Sequence, residues 1–517
     1  MPDPAFHLPG RLVDVEMSLP PGEEVASRAE LLSLMDSYGI DIALVHGATA
    51  DAADIEAGNT GLFAVVAESR RLFASPTVDA REVDENHLAE LRESGARAVR
   101  IHPRKHAYGA DARSLARLMN ALSALRLPLF IDFDTVHWSE YEVDYTALAD
   151  LCTAWPDVPI VLARRSLADV AGLYEAWDRV DNLYAEMSYY CVADGLRHAA
   201  ERGWAGRFLF GSGLPVYEGL CPICSLGWAG IGDLDRGRIA SGSAADLLGL
   251  DLPAESVPPM EPHGLRIIDA HGHIGPAAEL LPTCHTADAL ADALRRCGIS
   301  RSVITSLPAL QGDPEGGHAA KVEALARYPD LFLGYVDVDP REGGPGASGG
   351  QGGLAEIVSR RLSDPGMVGL KIHCDFSGVP LSDGAWGPAL RVADERRLPV
   401  LVHGIASPDQ AADVCARYPG LLLIAAHAAS FPFDLALPWV ELASKLPGFY
   451  VDTCGSVCGR GALGRLVERC GVSGVLFATD CCYLDAAYEL GRVLSLALRA
   501  AGRDALLCGN IEGLLER

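Results

Sequence analysis

The chain contains a copy of itself, and that repeat constrains the fold more than any single motif. GIDIALVHGAT from Gly39 has the shape of GISRSVITSLPAL from Gly298, and RRLFASPTVDARE from Arg70 has that of YPDLFLGYVDVDPRE from Tyr328. The matches continue in order. RLVDVEMSL from Arg11 parallels RIIDAHGHI from Arg266, AVRIHP from Ala98 parallels GLKIHC from Gly369, and LPLFIDF from Leu127 parallels LPVLVHG from Leu398. RFLFGSGLP from Arg207 parallels GVLFATDCC from Gly474. Residues 251–264 lie between the copies in a proline-rich run with no apolar periodicity, which reads as a linker. The halves are therefore 1–250 and 265–517.

Each half carries eight short runs rich in Val, Ile, Leu and Phe, separated by stretches with apolar residues at helical spacing, such as SRAELLSLMDSYG and LADALRRCG. Eight alternating units in about 250 residues have the size and rhythm of a (β/α)8 barrel. The expected fold is α/β, two tandem TIM-type barrels. The glycine-rich run Glu342 to Gly353 is expected as a flexible loop after the third strand of the second barrel.

The second half carries the chemistry. In IIDAHGHIG, His271 and His273 stand two apart at the end of the first strand, so both imidazoles leave one face and converge on the barrel mouth. Two neutral nitrogens at that spacing suit Zn²⁺. His403 ends the fifth strand, His427 the sixth and Asp480 the eighth, all at the C-terminal strand ends where barrels keep their chemistry. Any one of these alone reads as a polar residue bonding a loop; five together do not.

These residues resemble the amidohydrolase superfamily, in the branch of the metal-dependent hydrolases and aminocarboxymuconate semialdehyde decarboxylase. DAHGH, KIH, LVHG, AAH, FATD and the closing GNIEGLL carry the resemblance across the whole second half. It implies that His271, His273, His403 and Asp480 hold one divalent metal, Zn²⁺ with Mn²⁺ or Fe²⁺ as alternatives, and that His427 is the catalytic acid/base beside Asp480. Cys481 and Cys482 depart from the family pattern, which has an aromatic or small residue and then Pro. Lys371, His373 and Cys481 are candidates for substrate contact or for support of the ligands. In related two-metal enzymes a lysine on the fourth strand bridges the ions. The first half keeps Arg100 and His102 there without the metal set, so Lys371 is read as following the scaffold.

In register, the first half places Glu16, Ser18, Asp132, Arg164 or Arg165, and Gly213 where the second has His271, His273, His403, His427 and Asp480. With no nitrogen or sulfur ligand set, this half reads as a degenerate, noncatalytic barrel. Cys221 and Cys224, and Cys454 and Cys458, lack a second pair at zinc spacing and read as thiols.

A metal with an open position brings the pKa of its water toward about 7 and polarises a carbonyl. The expected activity is hydrolysis of an amide, ester or lactone of a small molecule, with non-oxidative decarboxylation or a noncatalytic scaffold as alternatives. Forty-three basic against 69 acidic residues leave a net charge of −26, which would repel phosphate backbones and anionic lipids. No nucleic acid or membrane partner is expected. No apolar run reaches the roughly 18 residues of a membrane span, and the N-terminus lacks a signal-peptide layout, so the expected location is the cytoplasm. The silent barrel is expected to act as a built-in partner of the active one, an intramolecular pseudo-dimer, with further homo-oligomerisation open. Arg104, Arg164 and Arg165 are the side chains it could lend.

Overall fold

The computed structural model describes residues 6–8, 10–19, 28–48, 50, 54–134, 143–164, 170–252, 264–277, 283–343, 353–455 and 459–516. The chain divides into two compact units, one spanning Phe6–Glu261 and one built on Pro262–Arg517. Most of the linker and of the glycine-rich run lies outside the described residues.

In the second unit the β-branched runs form eight parallel strands paired in sequence order: β9 (Ile267–Ile274), β10 (Ile299–Ser306), β11 (Phe332–Val338), β12 (Met367–His373), β13 (Pro399–His403), β14 (Leu422–Ala425), β15 (Phe449–Asp452) and β16 (Val475–Leu476). The ladder closes on itself: Ala270 N–H donates to Phe477 C=O and Asp480 N–H to His271 C=O, at 3.0 and 2.8 Å. Parallel strands need crossovers, and the intervening amphipathic segments supply them as helices. Ala287–Arg296 is one: Thr286 Oγ1 caps it by accepting from Ala289 N–H, and Leu290, Ala291, Ala293 and Leu294 turn one stripe inward. Ile268, Val303, Tyr335, Leu401, Ile424 and Leu476 form a core with Ile511 and Leu514 of the terminal helix.

The first unit repeats this plan. Its strands are β1 (Val13–Leu19), β2 (Ile42–Gly47) and β3 (Leu72–Ala74), then β4 (Val99–Ile101), β5 (Leu129–Asp132), β6 (Ile160–Ala163), β7 (Leu183–Glu186) and β8 (Phe208–Leu209). Isolated bridges Ala74 to Ala96 and Thr77 to Arg100 join the ladders of three and five, and Val15 N–H to Phe210 C=O at 2.9 Å closes the ring. Two TIM-type barrels in one chain are what the repeat predicted.

His427 and Asp480 stand past the last paired residues of β14 and β16, beyond the strand ends where the sequence placed them. Both adopt left-handed backbone, with φ of 62° and 57°. Arg164 and Gly213 hold the same conformation at 52° and 67° in the first unit. For residues with a Cβ this region is sparsely populated, and it persists only where the surroundings fix it. The repeat therefore extends to backbone geometry, and it registers Arg164 with His427. Arg165 lies outside the described residues.

Candidate metal centre

Alternation along β9 sends Asp269, His271 and His273 to one side. Asp269 is structural: it accepts from Ser302 Oγ at 2.7 Å, Thr479 Oγ1 at 2.9 Å and His271 N–H at 3.1 Å, tying β9 to β10 and to the segment that carries Asp480. Asp14 does the same in the first unit, accepting from Ser212 N–H and Glu16 N–H at 2.9 Å.

His271, His273 and Asp480 come together. Asp480 Oδ1 is 2.7 Å from His273 Nε2 and 3.7 Å from His271 Nε2. The far nitrogen of each ring is already tied, His271 Nδ1 to Asp452 Oδ2 at 3.0 Å and His273 Nδ1 to Thr305 Oγ1 at 2.6 Å. Such partners fix the orientation of a ligand imidazole and choose which nitrogen faces the ion. Burial holds both rings well toward the neutral form, the Lys371 ammonium adding to the effect at His271. Burial would raise the Asp480 carboxyl, but the His273 hydrogen bond and the nearby His427 outweigh it and keep Asp480 below its usual range. The set is two imidazole nitrogens and one carboxylate, and an ion would take the place of the proton between His273 and Asp480.

His403 is displaced from that trio. Its ring lies against His373 at a centroid distance of 4.1 Å, and His373 in turn stacks on Phe376 at 4.0 Å. Its Nε2 is 3.3 Å from Asp375 Oδ2, and its Nδ1 is 3.0 Å from His427 Nε2. His427 Nδ1 faces the Cys454 carbonyl at 3.2 Å, and His427 N–H donates to Asp452 Oδ1 at 2.7 Å. Assigning protons from these partners, His403 carries hydrogen on Nε2 and His427 on Nδ1. In that assignment the two facing nitrogens share no proton, and the other tautomer of His427 makes the 3.0 Å contact an ordinary hydrogen bond. Burial pushes His427 down to about 3, so it too stays neutral. The donor chemistry of His271, His273 and Asp480 fits a divalent ion, while His403 groups instead with His373 and Asp375.

Lys371 Nζ lies 2.9 Å from His271 Nε2. The repeat read this lysine as scaffold, but its counterpart also reaches the ligand positions: Arg100 pairs with Glu16 and Asp132. A basic side chain on the fourth strand thus reaches both mouths. The thiol of Cys481 points away from the trio, 3.8 Å from Cys284 Sγ, and only its carbonyl serves the site, accepting from His273 N–H.

Asp452, Asp375 and Thr305 were not singled out in the sequence, and Cys454 was read there only as a thiol. Asp452 and Cys454 had a readable signal, an i, i+2 pair ending the seventh strand in FYVDTC, with the same geometry as HxH. Cys458 lies outside the described residues, so the four-residue spacing to it carries nothing. Cys221 and Cys224 are buried one turn apart on the helix Leu220–Gly227.

The first mouth is filled by ion pairs. Arg100 binds Glu16 at 2.5 Å and Asp132 at 3.3 Å, while Arg164 binds Asp132 at 2.5 Å and Asp134 at 3.3 Å. Arg164 is thereby committed within its own barrel. Its N–H donates to Glu186, the counterpart of the bond from His427 to Asp452.

The sequence pattern of the amidohydrolase family matches residues 24–250 and again 268–517. The chain belongs to the amidohydrolase family. No curated protein matches it. Among solved structures, this amidohydrolase is similar to dihydroorotase from Campylobacter jejuni, at 13% identity over 48% of this chain and 86% of that one, with a TM-score of 0.36. It is also similar to 5-carboxyvanillate decarboxylase from Sphingomonas paucimobilis, at 14% over 47% and 99%, TM-score 0.36. A third is 2,6-dihydroxybenzoate decarboxylase from Rhizobium, at 14% over 49% and 99%, TM-score 0.37. No helix among the described residues of the amidohydrolase is long and apolar enough to cross a membrane.

Proposed function

We propose that the second barrel is a metal-dependent hydrolase of an amide, ester or lactone bond in a small molecule, and that the first barrel is noncatalytic. The observation that carries this reading is the pair of imidazole nitrogens of His271 and His273 turned to one mouth beside Asp480, with the far nitrogens tied back by Asp452 and Thr305. A divalent ion, Zn²⁺ by preference, would be held by His271, His273, Asp480 and His403, and when bound supplies a Lewis acid for the scissile carbonyl and makes water acidic near neutral pH.

The chain's own residues do the rest. His427, held by the Cys454 carbonyl with its Nε2 lone pair toward the mouth, takes a proton from the attacking water and returns it to the leaving nitrogen or oxygen. Its depressed basicity keeps that lone pair free at neutral pH. The stacked rings of Phe376 and His373 hold His403 in place. In the first mouth, Arg100 and Arg164 take the space between Glu16 and Asp132, and the one candidate donor group among the described residues there, His102 with Asp132 and Asp134, is already paired with Arg100, Arg164 and Lys105.

The test is turnover by the metal-loaded full chain on a panel of small amides, esters and lactones, beside aromatic carboxylic acids. Acid release from the first group supports hydrolysis. Release of CO2 from the second with no hydrolysis would replace this reading with the decarboxylase.

A further inference from the structure

A second cluster lies on the other side of His271. One ring nitrogen each of His271 and His427, a carboxylate oxygen of Asp452 and Cys454 Sγ all lie within 4.8 Å of one another. Cys454 Sγ is 3.5 Å from His271 Nδ1, 3.3 Å from His427 Nδ1 and 3.3 Å from Asp452 Oδ1, and His271 Nδ1 is 3.0 Å from Asp452 Oδ2. Bonds of about 2.0 Å to nitrogen or oxygen and 2.3 Å to sulfur in a regular tetrahedron give ligand-to-ligand edges of about 3.3 to 3.6 Å. The three edges to Cys454 Sγ lie at 3.3 to 3.5 Å, within that range, while His271 and Cys454 meet different oxygens of Asp452, so one carboxylate oxygen turns toward the ion on binding. His271, Asp452 and Cys454 are fully buried.

We infer that this amidohydrolase has a second metal site, an inner two-histidine, one-carboxylate, one-thiolate site for a thiophilic divalent cation, and that it competes with the mouth for His271. The ligand chemistry suits Zn²⁺ or Co²⁺: a thiolate and a carboxylate neutralise the ion, and two imidazoles complete four-coordination with no open position. Ion binding displaces the thiol proton to solvent.

The competition follows from the ring. A neutral imidazole has one lone pair. The mouth uses it on His271 Nε2, with Nδ1–H donating to Asp452; the inner site needs it on Nδ1. The same holds for His427, whose proton would move to Nε2 and donate to His403 Nδ1 across the existing 3.0 Å contact. An ion in the inner site therefore disables two groups that the proposed hydrolysis requires, and the amidohydrolase would be inhibited by a thiophilic metal. The first barrel has no counterpart, since Glu186 and Ser188 stand where Asp452 and Cys454 do and no thiol is present there.

The inner site itself goes beyond the proposed hydrolysis, and only its inhibitory consequence rests on that reading. The experiment is titration of the metal-free full chain with Co²⁺, reading thiolate-to-cobalt charge transfer in the near ultraviolet and the intense visible bands of a four-coordinate ion. His273→Ala and Asp480→Ala each remove a mouth ligand only, and both should show the thiolate band from the first equivalent. Cys454→Ser should lose that band and still bind one equivalent. Wild type with the band from the first equivalent, lost in Cys454→Ser, would keep the inner site while arguing against preferential filling of the mouth. A folded His273→Ala or Asp480→Ala protein that binds cobalt without the band overturns the inner site, as does a Cys454→Ser protein that retains it.

Discussion

His427 shows how one residue's surroundings set its chemistry. Its left-handed backbone aims the ring back across the mouth, Asp452 fixes its N–H, and the Cys454 carbonyl fixes its tautomer. His427→Asn should keep the bound ion and lower turnover by roughly 10² to 10⁴. Metal analysis of the variant checks the division of labour, because loss of the ion would make His427 a ligand. The same burial creates an acid liability. Unfolded, His427 takes a proton near 6.5; folded, it refuses one until about 3. The unfolded state thus binds more protons between those values, and stability falls as pH falls through that window. His271, His273 and His373 shift in the same direction. Urea unfolding of the metal-free protein should show a lower midpoint at pH 5 than at pH 7, His427 alone contributing roughly 1 to 2 kcal/mol. An unchanged midpoint would mean that these rings are not buried neutral.

Elements carry the repeat more faithfully than side chains do. Asp14 and Asp269 brace the first strand of each barrel alike, and left-handed residues follow the sixth and eighth strands of both. The ligand positions diverged. Where the second barrel has His271 and His403, the first has Glu16 and Asp132 with Arg100 between them, all buried. Removing one member of such a pair strands a buried charge, so Arg100→Leu should cost about 3 to 5 kcal/mol in denaturant unfolding. A cost below about 1 kcal/mol would show that water reaches the carboxylates. Strands, helices and the HxH pair were legible because apolar period and strand-end placement are local signals, whereas His427 and Asp480, read as strand-end residues, stand past their strands in left-handed backbone. Asp375 was not legible, because it meets His403 from a turn 28 positions earlier and only the closed barrel brings them together. Nor was the role of Cys454, since the partners that give it meaning, His271 and His427, come from β9 and the turn after β14.

At the scale of the whole molecule, the first unit keeps eight strands around a mouth that holds ion pairs where the second unit holds histidines. We propose that the first barrel persists as a built-in partner of the second. Residues 265–517 expressed alone should aggregate or self-associate, read by light scattering, and a soluble, fully active monomer would show that the first barrel is dispensable. We propose that one mouth, in the second barrel, binds the catalytic ion. Anomalous X-ray scattering at the absorption edge of the bound metal tests it most directly. The account predicts a peak within bonding distance of His271 Nε2, His273 Nε2 and Asp480 in the metal-loaded full chain. A peak between Glu16 and Asp132 of the first barrel, or none beside the HxH pair, would contradict it.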